Sequence, residues 1–283
     1  MIDLHTHSNA SDGSLSPAGL IREAAKQGLS AIALTDHDTI DGLCDARNES
    51  AILQIRFIPG IELEINWEGE GEFHLLGLGI RRPSREFLEA VGELSRRREQ
   101  RNREILDRMS ELGIEADYEE VRAFSGGHSV GRPHFAALLV KRRIVKNREQ
   151  AFARYLGKGK PFYVPKAGLD FARAAAAIKA SGGIPILAHP MSLYTGWGRL
   201  PDLVKGLKDQ GLEGLEAWHP TAKPRSCKRL EELAQSLDLY VTAGSDYHGE
   251  ARPDHRLGHT AGNRIIEDAV LEAVKPLANV LLS

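Results

Sequence analysis

MIDLHTHSNASDG, residues 1–13, sets a short apolar run directly before two imidazoles and a carboxylate, His5, His7 and Asp12. The same order returns along the chain. LSAIALTDH (29–37) ends at His37, Glu62 follows FIPGI within IRFIPGIELEI (55–65), GIPILAHP (183–190) brings His189, and LYVTAGSDYH (239–248) brings Asp246 and His248. Short apolar runs bounded by Gly, Pro and acidic residues read as strands, as do EFHLLGLGI (72–80) and LEGLEAWHP (212–220). Between many of them lie helical patterns. In SPAGLIREAAKQG (16–28), Ser16 can cap and Pro17 suits a first turn. LDFARAAAAIKAS (169–181), LPDLVKGLKDQ (200–210) and PRSCKRLEELAQS (224–236) continue the alternation.

Strand–helix alternation favours a parallel sheet with crossover helices, and seven or so strands suit a closed TIM-like barrel. The ligand-type residues then fall at the C-terminal ends of strands, the face on which barrel sites are assembled. Residues two apart in a strand share a side, so His5 with His7, and Asp246 with His248, should each present a pair in one direction.

One region breaks the alternation. A helical pattern from about Ser84 to Leu112 leads into a segment, Arg96 to Lys166, with 17 Lys and Arg against 9 Asp and Glu, although the whole chain carries only −2. We therefore expect a barrel from residues 1–95 and 166–283, with 96–165 as a basic, mainly helical insertion covering the site. A solvated helical surface accounts for part of that charge, and a cover over an anionic substrate accounts for it as well.

The composition is that of a globular protein, without an apolar run of spanning length. Cys44 and Cys227 stand far apart in no metal spacing, which argues against a disulfide framework and a thiolate zinc site. The N-terminus lacks the order of a signal peptide. A cytoplasmic location is expected, with no membrane or protein partner indicated.

DLHTHSNASDG, LTDHDT, GIELEI, AHP and GSDYH, taken in order, resemble the successive motifs of the PHP (polymerase and histidinol phosphatase) superfamily. That resemblance implies an α/β fold, a distorted (β/α)7 barrel, holding two or three divalent ions. By position it assigns His5, His7, Glu62 and Asp246 to one ion, and Asp12, His37 and His248 to a second. A third would share Glu62 and add His74 and His189. Many relatives carry His where this chain has Asp12, which makes the second site harder in character. Imidazole and carboxylate ligands suit Mn, Fe or Zn, with Mn the expected choice.

The implied chemistry is phosphoester hydrolysis by a metal-bridging hydroxide, with His189 a candidate general acid. Arg132 and His134, in GRPH at an expected helix start, are candidate phosphate contacts, and Lys158 in GKGKPFYVPK is another. The basic insertion and GRPH resemble the PHP subgroup that removes the 3′-phosphate of nucleoside 3′,5′-bisphosphates. Alternatives are 5′→3′ exoribonuclease action on short RNA, a histidinol-phosphate-type phosphatase, and a non-catalytic metal-binding module. Glu64 is passed over in favour of Glu62, which fits the G-x-E pattern. His219 has no motif support, and His128, His255 and His259 are expected in loops or at the surface.

Overall fold

The computed structural model describes residues 1–125 and 129–278. Seven strands form one sheet in chain order: β1 (Ile2–Asp3), β2 (Ala31–Leu34), β3 (Arg56–Ile65), β4 (Phe73–Leu78), β5 (Ile184–Leu187), β6 (Gly214–Trp218) and β7 (Tyr240–Ala243). The sheet curls until its ends nearly meet. Thr6 bridges Tyr247 in parallel, the Asp246 N–H donates to the His5 carbonyl at 2.9 Å, and the His7 N–H donates to the Tyr247 carbonyl at 2.9 Å. The architecture is the expected barrel-like α/β fold.

The sheet is not wholly parallel, which corrects the expectation. β1–β2–β3 and β5–β6–β7 pair in parallel, but β4 is antiparallel to both β3 and β5. Only residues 66–72 separate β3 from β4, too few for a crossover helix, so the chain folds back as a hairpin. The reversal has a functional consequence. It puts the first residues of β4 at the end of the barrel where the other strands finish, and His74 pairs in register with Glu64.

Helices α1 (Pro17–Lys26) and α2 (Leu43–Leu53) cover the first strands, and α1 is capped by Ser16, whose hydroxyl accepts the Gly19 N–H at 3.1 Å. α3 (Arg85–Glu111) is followed by α4 (Tyr118–Arg122), α5 (Arg132–Lys141) and α6 (Arg148–Ala151), after which α7 (Phe171–Ala180), α8 (Leu200–Asp209) and α9 (Pro224–Ser236) pack on the outside of the sheet. The short ribbon β8 (His259–Thr260) and β9 (Arg264–Ile265) precedes α10 (Asp268–Ala273) and α11 (Lys275–Ala278). Among the described residues no helix is long and apolar enough to cross a membrane.

Apolar residues divide into layers. Ile58, Leu76 and Ile186 fill the barrel with Ile2, Leu4 and residues of α10 and α11. Ile61, Leu63 and Ile65 point the other way, into the layer shared with α7, α8 and α9. A separate cluster of Ile105, Met109, Phe135, Leu138, Leu139 and Phe162 holds the helical segment together. α3 joins the two regions. Its first turns bury Phe87, Ala90 and Leu94 in the outer barrel layer, and its last bury Ile105 and Met109 in the helical cluster.

The chain re-enters the barrel at Gly168, where Leu169 bridges Ile65. A Cβ at Gly168 would lie 2.4 Å from the Ile65 carbonyl carbon and 2.7 Å from the Glu64 oxygen, both backbone atoms. Gly168→Ala is therefore expected to destabilise the protein by about 1–3 kcal/mol through overpacking, measured by urea denaturation.

Candidate metal centre

The barrel mouth collects all nine side chains expected as ligands. Glu62 is central and fully buried. Its Oε1 lies 3.0 Å from His74 Nδ1 and 2.9 Å from His189 Nε2; its Oε2 lies 3.0 Å from His37 Nδ1, 3.3 Å from His7 Nε2 and 3.4 Å from His5 Nε2. Asp246 Oδ1 stands 3.6 Å from His5 Nε2 and 3.3 Å from His7 Nε2. His5, His7, Glu62 and Asp246 thus turn their ligand atoms toward one small volume.

Asp12 Oδ1 is 3.1 Å from His248 Nε2 and 3.9 Å from His37 Nε2, and these three with His7 form a second group able to hold an ion. His74 and His189, 3.3 Å apart through Nδ1 and Nε2, close a third group on Glu62. Two further groups link these: His5 with Glu62 and His189, and His37 with Glu62 and His74.

The way the ligands reach the mouth differs from the expectation. β1 ends at Asp3 and β7 at Ala243, so the His5/His7 and Asp246/His248 pairs both lie beyond the strands, joined by the isolated Thr6–Tyr247 bridge. Asp246 (φ 51°) and His189 (φ 26°) occupy the left-handed region, uncommon outside glycine and costly unless its surroundings enforce it. His5 and His7 still face one way, their Nε2 atoms 3.1 Å apart, whereas Asp246 is directed by its turn rather than by strand parity.

His219, which sequence gave little support, is buried with Nε2 3.4 Å from Asp246 Oδ2 and groups with His5 and Asp246. His255 and His259, expected in loops or at the surface, are both buried, His255 in a loop and His259 in β8; His255 Nδ1 donates to the Asp246 carbonyl at 2.9 Å and steadies that loop. His128 lies outside the described residues. Glu64 is directed past Glu62 to the far side of His74, at 3.1 Å from its Nε2. Glu216, on β6, meets His5 Nδ1 at 2.9 Å. Neither carboxylate was singled out as a ligand, and both lie behind one.

The charge balance fits cations. Burial favours the neutral forms of Asp12, Glu62 and Asp246, but the surrounding histidines, with Arg252 beside Asp246, outweigh it and hold all three well below the usual carboxylate range. Burial likewise opposes charge on His7 and His74. The neighbouring carboxylates outweigh it, Asp246 and Glu62 pushing His7 up to about 9, and Glu62 and Glu64 pushing His74 up to about 10. A cluster that draws protons this strongly has an excess of buried negative charge. Moreover, His7 Nδ1, Glu62 Oε2 and His248 Nε2 are buried without a hydrogen-bond partner among the described residues, although charged neighbours lie close. Orphaned donor atoms around carboxylates are what bound divalent ions would satisfy. These buried clusters are consistent with a multi-metal centre.

Above the cluster opens a cleft of about 220 Å³. Asp12, His37, Glu64 and His74 form its floor, while Arg97, Arg98, Arg101, Arg132, Arg148, Lys166 and Arg252 form its walls. Leu94, Arg97, Arg98 and Arg101 share one face of α3 by helical spacing. Most of these cations are engaged: Arg98 with Asp38, Arg252 with Asp246, Lys166 with Glu64 at 2.6 Å, and Arg132 with Glu72 at 3.3 Å. Arg101 is held more weakly, its Nη2 reaching Asn102 Oδ1 at 3.5 Å. It is buried, its Nε has no hydrogen-bond partner among the described residues, and burial with Arg98 and Arg132 nearby draws its pKa down to about 10.

Arg132 begins α5, the expected helix start, and lines the cleft; His134, in the same first turn, is not among the lining residues, and its Nδ1 accepts the Gly131 N–H at 2.9 Å. Lys158 stands outside the cleft lining, donating to the Glu70 carbonyl at 3.4 Å over the β3–β4 hairpin.

The model of the PHP domain matches residues 3–161. The chain is 37% identical over 246 residues to a 5′-3′ exoribonuclease of Haemophilus influenzae, covering 87% of this chain and 89% of that protein. It is 30% identical over 260 residues to a 3′,5′-nucleoside bisphosphate phosphatase of Chromobacterium violaceum, covering 92% and 91%. The crystal structure of a candidate metal-dependent phosphoesterase from Bifidobacterium adolescentis superposes with a TM-score of 0.84 at 28% identity, over 96% of this chain and 94% of that one.

Ligation requires neutral imidazoles, so an ion entering the centre must expel the protons held by His7 and His74. Affinity for Mn²⁺ is therefore expected to strengthen as pH rises from about 6 to about 9, with protons released on binding. Titration calorimetry in buffers of different ionisation enthalpy measures that release directly.

Proposed function

The chain belongs to the PHP domain family, and from that footing we propose that it hydrolyses the 3′-phosphate of nucleoside 3′,5′-bisphosphates to give nucleoside 5′-monophosphates. Its place as a phosphoesterase of this family rests on the relatives and the buried ligand clusters together. The observation that carries the bisphosphate reading is the cleft: an acid-and-imidazole floor faces a cationic wall in which Arg101 lacks a full set of partners. A substrate with two phosphates suits that division. One phosphate meets the floor while Arg101 and Arg132 hold the other, and a charged group gripped away from the reacting atom provides positioning.

In this reading His5, His7, Glu62 and Asp246 hold one ion, Asp12, His37 and His248 a second, and Glu62, His74 and His189 a third. Divalent ions there, Mn²⁺ by preference and Fe²⁺ or Zn²⁺ by ligand type, would supply an activated water and neutralise the phosphoryl oxygens. His189 sets Nδ1 2.8 Å from the Ser192 hydroxyl and turns Nε2 toward Glu62 at 2.9 Å, inside the ligand cluster. We therefore assign it to ion binding rather than to general-acid duty. His134, its Nδ1 occupied by the Gly131 N–H, carries its proton on Nε2 and can donate to a phosphate oxygen. Cys44 and Cys227 are both free.

The second reading is 5′→3′ exoribonuclease action, favoured by the Haemophilus influenzae relative. It uses the same floor and wall, with RNA leaving through the open side of the cleft. A histidinol-phosphate-type substrate is disfavoured, because a cationic amine gains nothing from this wall. Turnover of a nucleoside 3′,5′-bisphosphate, a nucleoside monophosphate, histidinol phosphate and a short 5′-phosphorylated RNA by Mn-loaded protein separates the readings. A bisphosphate preference is expected, and an RNA preference would move the assignment to the exonuclease.

Two variant predictions follow from the same arrangement. Asp246→Asn and His7→Ala should abolish nearly all phosphatase activity while circular dichroism shows the fold intact. Arg101→Ala and Arg132→Ala should each lower kcat/KM for the bisphosphate by roughly tenfold or more, the scale of a lost charge-assisted contact. Monophosphate turnover should change far less, and an equal loss on both substrates would remove the arginine concerned from the second-phosphate role.

A further inference from the structure

We propose that Glu216 is a positioning residue that joins two of the ion-binding groups, fixing the ring of His5 with one oxygen and the backbone of His189 with the other. The proposal rests on the reading that the cluster binds divalent ions.

Glu216 lies midway along β6 and is buried. The His5 Nδ1–H donates to its Oε1 at 2.9 Å, and the His189 backbone N–H donates to its Oε2 at 2.7 Å. The His189 N–H can only donate, and as a carboxylate Glu216 offers the His5 ring only an acceptor, which sets the ring's proton on Nδ1. The consequence for His5 is chemical. With its proton held on Nδ1, Nε2 keeps a free lone pair, and Nε2 is the atom facing His7, Glu62 and Asp246.

For His189 the consequence is conformational. Its backbone sits at φ 26° and ψ 66°, and the hydrogen bond from its N–H to Glu216 helps hold that strained turn. The turn brings Nε2 to Glu62. Its proton is placed independently: the Ser192 hydroxyl donates to the Glu72 carbonyl at 2.9 Å, so it accepts the His189 Nδ1–H at 2.8 Å. Nε2 is again left free to bind. One carboxylate therefore prepares a ligand in each of two groups that already share Glu62.

Glu216 has little freedom to do otherwise. A Cβ on Gly244 would stand 2.6 Å from Glu216 Oε1 and 2.2 Å from His5 Cβ, which shows how closely this wall packs. Glutamine fills the same space but offers one acceptor and one donor. The His189 N–H cannot change its role, whereas an imidazole can exchange tautomers. The amide oxygen of Glu216→Gln should therefore face His189, and its NH₂ should face His5. That drives the His5 proton to Nε2, where it blocks ligation, and the damage falls on the group of His5, His7 and Asp246.

The test counts ions rather than turnover. Wild type, Glu216→Gln, Glu216→Asp and the control Glu231→Gln are titrated with Zn²⁺ by calorimetry, and bound zinc is measured after gel filtration. Glu231 also accepts a buried-side contact, from Trp218 Nε1 at 3.0 Å, but lies outside the ligand cluster. The expected result is one ion weakened by about 10- to 100-fold in Glu216→Gln, with the others and the melting temperature nearly unchanged, and Glu231→Gln like wild type. In ¹⁵N–¹H spectra of the zinc-loaded protein, the His5 Nδ1–H resonance should be present in wild type and lost in Glu216→Gln. Unchanged zinc affinities in Glu216→Gln, or an equal loss in Glu231→Gln, would overturn the proposal. If Glu216→Gln fails to fold, Glu216→Asp decides: it keeps both acceptors, so selective weakening of the His5 group by its shorter reach supports the role, and unaltered binding refutes it. Wild type that binds no zinc would instead sink the metal-centre reading itself.

Discussion

The structure depends on a carboxylate placed where water cannot reach it. Glu62 is fully buried, with five imidazole nitrogens 2.9–3.4 Å from its oxygens. An ionised carboxylate inside a protein costs several kcal/mol unless opposite charge closes around it. Neutral imidazoles alone do not supply that charge; protonated ones or metal ions do. The side chains that surround Glu62 are therefore constrained in kind, since each must be able to carry a proton or release it to a cation. Asp12 and Asp246 extend the same demand to either side, and the barrel below, filled by Ile58, Leu76 and Ile186, offers them no solvent.

β3 shows how the chain builds this arrangement. Along IRFIPGIELEI, Ile61, Leu63 and Ile65 turn outward to the helices, while Ile58, Gly60, Glu62 and Glu64 have the opposite parity. The inward face thus changes from apolar at the barrel waist to acidic at its mouth. The shared face of Glu62 and Glu64 was legible in the sequence, as were the succession of strands, the Ser16 cap and the segments bearing His5, His37, Glu62, His189 and Asp246. The reversal of β4 was legible only in the brevity of residues 66–72, and reading the alternation as uniformly parallel passed over it. Backbone beyond the strand ends was not legible at all. Left-handed turns at His189 and Asp246 are set by tertiary contacts, among them the Glu216 carboxylate and the His255 ring, and local propensity contains neither.

The same limit explains which cations were missed. Arg132 announced itself by standing at a helix start. Arg101 is one of many arginines in a basic helix, and nothing local separates it from Arg103, which pairs with Glu99 at 2.6 Å on the exposed face. What distinguishes Arg101 is the packing of α3: a helix that spans two hydrophobic clusters must turn one face toward the gap between them, and Leu94, Arg97, Arg98 and Arg101 occupy that face. Total charge in the segment pointed to an anionic ligand, but only burial and pairing show which charges remain available for it.

The two halves of the cleft then constrain each other. The floor is rich in carboxylates and would repel a phosphate unless cations occupied it, while the wall attracts phosphate without them. An anionic substrate should consequently be drawn to the wall first, with the floor becoming attractive only once its negative charge is compensated. Lys166 stands at the junction, its ammonium 2.6 Å from Glu64 and 3.4 Å from His74 Nε2. It neutralises the carboxylate behind His74 without entering the group that Glu62 organises. A lysine on that seam lets an acidic floor and a basic wall meet within one small cleft, because each side's excess charge is partly screened where they touch.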